Sequence, residues 1–203
     1  MIVHDSLVRD ELAFGLPATM TPEEGCELIA RAHDFERPEV LFRMLVAKVA
    51  TETLRAALAE IWGHDHHYLF VGFTRPYLRQ IMRQYGTLPA TLPTKLTVWR
   101  GGPGPAAKLR RGWSLTTDRG AACWFATQWR VNQARLGTPL VLRSEIDAAD
   151  IVHHDPHDSE FVIFGARNAR RDPVADWQDV GDEWERRKNA NQMAWLAAPE
   201  VVR

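Results

Sequence analysis

The sequence predicts an α+β protein, in which a helical amino-terminal part packs on a small, mostly antiparallel sheet. Apolar residues recur at helical spacing through residues 1–90. In residues 91–165, short runs of strand-forming residues alternate with turns rich in glycine and proline. In residues 166–203 the pattern is helical again. Because 203 residues are enough to enclose one well-formed core, we expect a single domain covering residues 1–203.

Three helices are predicted in the amino-terminal part. The first opens at residues 21–24, where a threonine N-cap, a proline at the first helical position and a glutamate form a capping box. The second carries its apolar stripe over residues 41–62 and is expected to stop at Gly63. The third begins near Thr74 and is closed by Gly86, with apolar residues at i, i+3, i+4 and i+7 between them.

The sheet is predicted from four apolar runs in the middle of the chain. They comprise residues 96–98, the residues around Trp113, residues 140–146 and residues 160–164. Residues 101–105, Gly-Gly-Pro-Gly-Pro, are expected to form a turn, because proline and glycine interrupt both helices and strands. After the second run, residues 118–134 show a helical pattern that Asp118 is expected to cap.

Composition places the chain outside the membrane-spanning and secreted classes. No apolar run approaches the roughly 20 residues of a membrane span, and the amino terminus has an early acid, Asp5, and no signal-peptide pattern. The two cysteines, Cys26 and Cys123, lie in helix-like apolar contexts and are expected to be reduced. The sequence therefore predicts a cytoplasmic protein with no membrane partner.

Positive charge is concentrated in the middle of the chain, although the formal net charge is only −1. Residues 95–135 contain eight lysines and arginines and a single acid, Asp118. Such a segment attracts an anion, either a pyrophosphate or a nucleic-acid backbone. The alternative is a solvated basic surface that is balanced by acids elsewhere in the chain. Arg100 is singled out, because it ends a strand beside a glycine and so suits the close approach of a ligand.

Three short segments contain, in chain order, an arginine, hydroxyl side chains and a glutamate, which are side chains that can take part in catalysis. The first is Trp-Arg-Gly at residues 99–101, the second Gly-Trp-Ser-Leu-Thr-Thr at residues 112–117, and the third Ser-Glu-Phe-Val at residues 159–162. Together with Ala122 and the Phe-Ala pair at residues 125–126, they resemble the Arg–Ser–Glu group of NAD-dependent mono-ADP-ribosyltransferases, the bacterial toxin-like branch. The resemblance covers residues 95–165 and implies the sheet core of that family.

The resemblance implies that NAD is the substrate and assigns roles to residues of the first two segments. Arg100 would hold the pyrophosphate, since a guanidinium grips phosphate oxygens in a bidentate fork. The backbone of Gly101 would contact the nicotinamide amide, and Trp113 would line the cofactor pocket. Buried aromatic packing is the alternative for Trp113.

Two hydroxyls and a carboxylate complete the implied site. Ser114 and Thr116 would brace the carboxylate and shape the nicotinamide pocket. Glu160 would bind the ribose and stabilise the oxocarbenium-like state in which the nicotinamide–ribose bond breaks. Two residues earlier, where the family usually carries Glu or Gln, stands Asp158, a carboxylate able to activate the acceptor. A plain ion pair between Arg100 and Glu160 is the alternative.

Residues 151–158, which lead into the third segment, contain His153, His154 and His157 and two aspartates. In the resembled family this loop recognises the acceptor. A metal would need ligands at a recognised spacing, which neither this loop nor residues 64–67 show, so no metal is expected. A mobile polar loop and a contact with the acceptor are the remaining interpretations.

The expected function is transfer of ADP-ribose from NAD to a macromolecular acceptor, a protein or a nucleic acid, with release of nicotinamide. A bacterial or phage effector toxin would act in this way, and a partner protein that neutralises it is then conceivable. Two alternatives stay open. An NAD glycohydrolase would use the same residues with water as the acceptor, and a catalytically silent module of this fold would bind a partner through its basic face.

Overall fold

In the computed structural model, the described part of the chain comprises residues 15–127, 137–155, 160–174 and 176–197. Contacts divide the chain into two compact units, one of Met1–Pro89 with Val152–Asp158 and one of Ala90–Ile151 with Ser159–Arg203. We refer to them as the helical unit and the sheet unit. The predicted end of the helical part at residue 90 lies within one residue of the boundary between the units, whereas residues 152–158 group with the helical unit.

In chain order the helices and strands are α1 (Pro22–Arg31), α2 (Arg37–Val46), α3 (Thr51–Gly72), α4 (Arg75–Tyr85), β1 (Lys95–Pro103), α5 (Ala106–Arg110), β2 (Ser114–Thr116), α6 (Arg119–Thr127), β3 (Pro139–Asp147), β4 (His153–Asp155), β5 (Glu160–Val162), β6 (Arg170–Arg171) and α7 (Trp177–Ala197). A short 3-10 helix, Ala148–Asp150, follows β3. The protein is therefore α+β, as the sequence predicts. None of the described helices is both long and apolar enough to cross a membrane.

Two helices of the helical unit begin or end where local sequence signals place their termini. The hydroxyl of Thr21 accepts a hydrogen bond from the backbone N–H of Glu24 (3.3 Å), and the Glu24 carboxylate accepts one from the N–H of Thr21 (2.8 Å). Both hydrogen bonds of the predicted capping box are thus present. α4 follows Thr74 as its N-cap and ends before Gly86, whose N–H donates to the carbonyl oxygen of Met82.

The second predicted helix is in fact two helices, and Gly63 ends neither of them. The break falls at residues 47–50, where Lys48 adopts a left-handed conformation with φ of 55°. α3 then continues through Gly63, because its buried stripe extends from Trp62 to Leu69. An interior glycine costs a helix only about 1 kcal/mol, which is less than the ~1.5–3 kcal/mol that burying one large apolar side chain contributes.

The sheet unit is built on an antiparallel sheet, in which the strands of this unit follow the order β5-β2-β1-β3-β6. β1 and β3 pair along their whole length. One face of the sheet buries a cluster of aliphatic side chains that includes Val98 and Leu142. The other face packs against α6, where Ala122 and Ala126 form a second cluster with Val141. The sheet therefore carries a helix on one face and a separate aliphatic core on the other.

The turn predicted at residues 101–105 begins later than expected, because β1 continues to Pro103. Gly101 stays in the strand for a packing reason. The carbonyl oxygen of Ala122 in α6 occupies the position that a Cβ atom of residue 101 would take, so glycine lets the helix approach the strand this closely. Pro103 is tolerated because it stands at the very end of the strand, opposite Pro139.

Both cysteines carry free thiols, as predicted. Cys123 is buried, and this burial raises the pKa of its thiol to about 11. Cys26 is half-buried, and burial also raises the pKa of its thiol above the ordinary value. Because the thiolate is the reactive form, neither cysteine is an activated nucleophile at neutral pH.

Candidate active site

The predicted hydroxyls and the predicted carboxylate lie on neighbouring strands of the sheet unit and share one face. In the register of β1, β2 and β5, Trp99 stands opposite Thr116 and Thr116 stands opposite Glu160. Directly opposed residues of antiparallel strands project to the same face. Ser114 joins them, because it lies two residues before Thr116 along β2. The sheet therefore brings Ser114, Thr116 and Glu160 together, although the last is 44 residues beyond Thr116 in the chain.

Arg100 bridges the two central strands at the point where their pairing ends. The register between β1 and β2 consists of the single pair Trp99 and Thr116. Beyond that pair, Nη1 of Arg100 donates a hydrogen bond to the carbonyl oxygen of Ser114. The guanidinium thus takes the place of a ladder hydrogen bond and holds the end of β1 against the start of β2. A charged donor makes a stronger bond to a carbonyl than a neutral one does.

Gly112 is a site residue that the sequence reasoning did not single out. Three atoms of the Arg100 guanidinium, Cζ, Nε and Nη2, occupy the space that a Cβ atom at residue 112 would need. Any side chain at this position would therefore displace the guanidinium from its bond to Ser114. The signal was present in the sequence as the glycine that opens the second segment, but nothing local to that segment shows that an arginine lies across it.

The charge of Arg100 is enclosed and is influenced by the charge of Glu160. The Nε atom is buried and has no hydrogen-bond partner among the described residues. Burial lowers the pKa of the Arg100 guanidinium from its ordinary value, and the negative charge of Glu160 opposes that shift. Glu160 itself is half-buried at the first residue of β5. The two charges thus influence each other in a partly desolvated environment, where charges interact more strongly than they do in water.

The turn after β2 fixes Thr116 and the start of α6 together. The Thr116 hydroxyl oxygen accepts a hydrogen bond from the backbone N–H of Asp118 at 3.0 Å. The Asp118 carboxylate caps α6, as predicted, by accepting from the N–H of Gly120 at 2.7 Å. Its second oxygen accepts from the indole N–H of Trp184 in α7 at 2.9 Å. The position of Thr116 beside Glu160 is therefore tied to two helices through one aspartate.

Gly101 and Trp113 are placed where packing accounts for both of them. Gly101 lies under the backbone of α6 at Ala122. Trp113 is only 2% exposed and packs edge-to-face against Phe164, with ring centroids 4.9 Å apart. Buried packing, the alternative that the sequence left open for Trp113, is what its surroundings favour. Contacts of these two residues with a cofactor stay predictions.

The loop that precedes Glu160 is only partly described, and its described part is not exposed throughout. Asp158 and His157 lie outside the described residues, so their roles stay predictions. His153, in the helical unit, is 1% exposed, and its Nδ1 accepts a hydrogen bond from the backbone N–H of Thr87 at 3.1 Å. Burial lowers the pKa of His153 to about 4, although the charge of Asp155 acts in the opposite direction. At neutral pH His153 is thus a neutral, enclosed side chain that supports the packing of its unit.

The described histidines of both clusters contact other residues of the helical unit. In residues 64–67, the ring of His66 stacks on Trp62 with centroids 4.8 Å apart, and His64 lies 3.6 Å from the carboxylate of Glu60. Nowhere in the described part of the chain do three His, Cys, Asp or Glu side chains converge on a point where a metal ion would fit.

Most described cations of the basic segment bind partners inside the sheet unit instead of forming one anion-binding face. Nζ of Lys95 lies 3.1 Å from the Glu145 carboxylate. Nε of Arg110 donates to the carbonyl oxygen of Ala169 at 2.7 Å. Arg119 bonds two aspartates, at 2.7 Å and 2.6 Å. Lys108 and Arg111 are exposed, and Arg130 and Arg135 lie outside the described residues.

Comparison with models of protein families, with curated proteins and with solved structures finds no match to this chain.

Proposed function

We propose that this protein transfers ADP-ribose from NAD to a macromolecular acceptor and releases nicotinamide. One observation carries the proposal. Three residues separated in the chain, Arg100, Ser114 and Glu160, stand on the adjacent strands β1, β2 and β5, with the guanidinium bonded to the backbone carbonyl oxygen of Ser114 and its charged form favoured by the charge of Glu160. Breaking a nicotinamide–ribose bond calls for a cation that holds the pyrophosphate, a hydroxyl that shapes the nicotinamide pocket and a carboxylate that stabilises the ribosyl cation. These three residues are of the types required.

Glu160 supplies the central chemical requirement of the reaction. Departure of nicotinamide leaves an oxocarbenium-like ribose, which a nearby carboxylate stabilises. Glu160 is partly desolvated and opposite Thr116, so its position is fixed by the sheet before substrate arrives. A preorganised charge needs no reorganisation when positive charge develops, and this is the reason for its catalytic value.

Arg100 supports the binding of an anionic part of the substrate. Its Nη1 is used by Ser114, while its Nε is an enclosed donor without an acceptor among the described residues. An unsatisfied buried donor is costly, and an incoming phosphate oxygen is a suitable acceptor for it. The planar guanidinium held by Gly112 and Ser114 is then already oriented before the pyrophosphate binds.

The acceptor decides between the two enzymatic alternatives. The same Arg100 and Glu160 would generate the ribosyl cation in a transferase and in an NAD glycohydrolase. In a transferase the nucleophile of the acceptor must reach the ribosyl cation before water does. Asp158 remains the residue proposed to orient this nucleophile. A bacterial or phage effector, with a neutralising partner, is the biological setting that this proposal implies.

The test is incubation of the purified protein with NAD labelled in its adenylate phosphate, in the presence of a cell lysate. We expect label on protein or nucleic acid, and we expect Glu160→Gln to lower turnover by a factor of roughly 10²–10³, the usual loss when one electrostatic stabiliser is removed. Glu145→Gln is the matched control, because Glu145 is exposed, lies on β3 of the same unit and pairs only with Lys95 among the described residues.

Calorimetric titration of NAD into the same three proteins separates binding from chemistry. Glu160→Gln should retain most of the NAD affinity, since the lost interaction is made chiefly in the transition state. Label found only as free ADP-ribose would select the glycohydrolase. Absence of both NAD binding and turnover in the unmodified protein would select the silent module and refute the proposal.

A further inference from the structure

Two exposed arginines face each other directly at the outer edge of the sheet unit. β6 is the last strand of the unit's sheet beside β3, and its register places Arg170 opposite Arg143. Arg171 follows on the same strand, so three exposed guanidinium groups lie on two neighbouring strands. We call Arg143, Arg170 and Arg171 the arginine edge. Sequence reasoning did not find it, because Arg143 is outside the basic segment 95–135 and 27 residues before Arg170.

The positive charge of the arginine edge is not neutralised within the described residues. No described carboxylate forms an ion pair with Arg143 or Arg170. Like charges directly opposite one another in an antiparallel pair are destabilising. An arrangement that raises the energy of the folded protein is retained most readily where an external anion offsets the repulsion.

Two aspartates close to Arg171 in the chain are bound by another cation, Arg119. Asp172, the next residue after Arg171, is buried and accepts a hydrogen bond from Nε of Arg119 at 2.7 Å. Asp176 accepts one from Nη2 of the same arginine at 2.6 Å. Both carboxylates are therefore engaged by Arg119.

Two aromatic side chains adjoin the arginine edge. The guanidinium of Arg171 lies over the ring of Trp177, 5.1 Å from its centroid, so a cation–π contact restrains its orientation. Trp99, half-buried, stands opposite Arg143 in β1. Arg170, Arg143 and Trp99 thus form one row across three strands on a single face of the sheet.

We infer that the arginine edge binds the phosphodiester backbone of a nucleic acid. Guanidinium groups match phosphate oxygens in bidentate geometry, and a strip of cations beside an aromatic ring is the combination with which proteins bind single strands regardless of sequence. An acidic protein surface would also attract these arginines, but the half-buried Trp99 of the row gives a base a ring to stack on that an acidic peptide does not require; Trp177 is only 8% exposed and serves to orient Arg171.

The same row leads to the candidate active site. It continues from Trp99 through Thr116 to Glu160, and three strand spacings of about 4.8 Å place Glu160 roughly 14 Å from Arg143. α6 packs on this face at Trp99 and Val141, so a nucleic acid held at the arginine edge would pass around that helix to present a nucleotide to Glu160. This last step depends on the proposed function and makes the acceptor a nucleic acid, whereas binding by the arginine edge does not depend on it.

The test is a fluorescence-anisotropy titration of labelled single-stranded DNA and RNA, without NAD, over a series of salt concentrations. The variant is Arg143→Gln/Arg170→Gln. The matched control is Lys108→Gln/Arg186→Gln, which removes two exposed cations of the same unit that lie outside β3 and β6. Loss of two phosphate contacts should reduce the slope of log K against log salt by about 1.4, since each contact to a single strand contributes about 0.7. If the variant and the unmodified protein bind equally at 1 M salt, this difference in slope makes the variant bind roughly 25-fold more weakly at 0.1 M salt.

The variant should fold as well as the unmodified protein, because its two substitutions relieve repulsion at exposed positions. The inference is supported if the arginine variant is at least as resistant to urea as the unmodified protein and its slope of log K against log salt is reduced as expected. Equal affinities of the arginine variant and the control variant would overturn it, as would absence of oligonucleotide binding in the unmodified protein. Binding of polyglutamate but not of oligonucleotides would assign the edge to an acidic protein instead. Because no NAD is present, none of these outcomes depends on catalysis.

Discussion

Replacement of Gly112 by alanine tests the contact that orders the candidate site. The new Cβ atom would occupy the space of the Arg100 guanidinium, while the backbone of residue 112 has no positive φ that would itself resist a side chain. The flexible end of Arg100 would therefore move, and its bond to the Ser114 carbonyl would be lost. A hydrogen bond from a charged donor contributes about 1.5–3 kcal/mol, so we expect a loss of this size in the free energy of unfolding.

A double-mutant cycle shows whether the cost is due to Arg100. The four proteins are the unmodified chain, Gly112→Ala, Arg100→Ala and the double variant, each unfolded in urea. If the alanine acts through the guanidinium, Gly112→Ala costs almost nothing once Arg100 is absent, and the coupling energy is about 1.5–3 kcal/mol. Gly102→Ala is the matched control, because its Cβ would meet only the end of the Leu109 side chain, at 2.9 Å.

NAD binding by the same variants tests whether the contact between Gly112 and Arg100 matters for function. Under the proposed function, Gly112→Ala should weaken NAD binding about as much as Arg100→Ala does, because both remove the oriented guanidinium. Gly102→Ala should bind NAD normally. Strictly additive effects of Gly112→Ala and Arg100→Ala on stability, with coupling below about 0.5 kcal/mol, would refute the reasoning that Gly112 exists to accommodate Arg100.

Three further predictions concern single side chains. Arg100→Lys should weaken NAD binding in calorimetry although charge is kept, because the planar fork is lost, and Arg167→Lys at an exposed position of the same unit should not; equal affinities would remove the pyrophosphate role. Asp118→Ala should lower the free energy of unfolding by about 2 kcal/mol, the sum of a lost N-cap and a lost hydrogen bond to Trp184, and a loss below the uncertainty of the urea titration would contradict it. The pKa of His153 is lowered by burial from 6.5 to about 4, so the unfolded chain binds this proton first and stability falls as pH drops from about 6.5 to 4, by up to roughly 3 kcal/mol. His153→Gln should flatten that part of the pH profile, and a profile of unchanged steepness would show that other groups cause it.

Signals that act over a few residues were sufficient for much of the fold. The capping box at Thr21 and Glu24, the end of α4 at Gly86 and the cap of α6 at Asp118 were all predicted from residues within one helical turn of each other. The order of the three site segments was also evident from the sequence. These features depend on local hydrogen bonds and periodicity, which the sequence displays directly.

Features that depend on close approach between distant segments were decided only by the tertiary structure. Gly63 reads as a helix end, yet the burial of Trp62 and Leu69 outweighs its small intrinsic cost. Gly101 reads as part of a turn, yet it remains in β1 because the backbone of α6 passes over it.

The same distinction applies to the candidate site and to the arginine edge. That Arg100 lies against Gly112, and that Arg143 stands opposite Arg170, follows from strand register. Register is set by the combined packing of both faces of the sheet, so no short stretch of sequence contains it. Local chemistry therefore determined which residues were candidates, and the pairing of strands determined which of them meet.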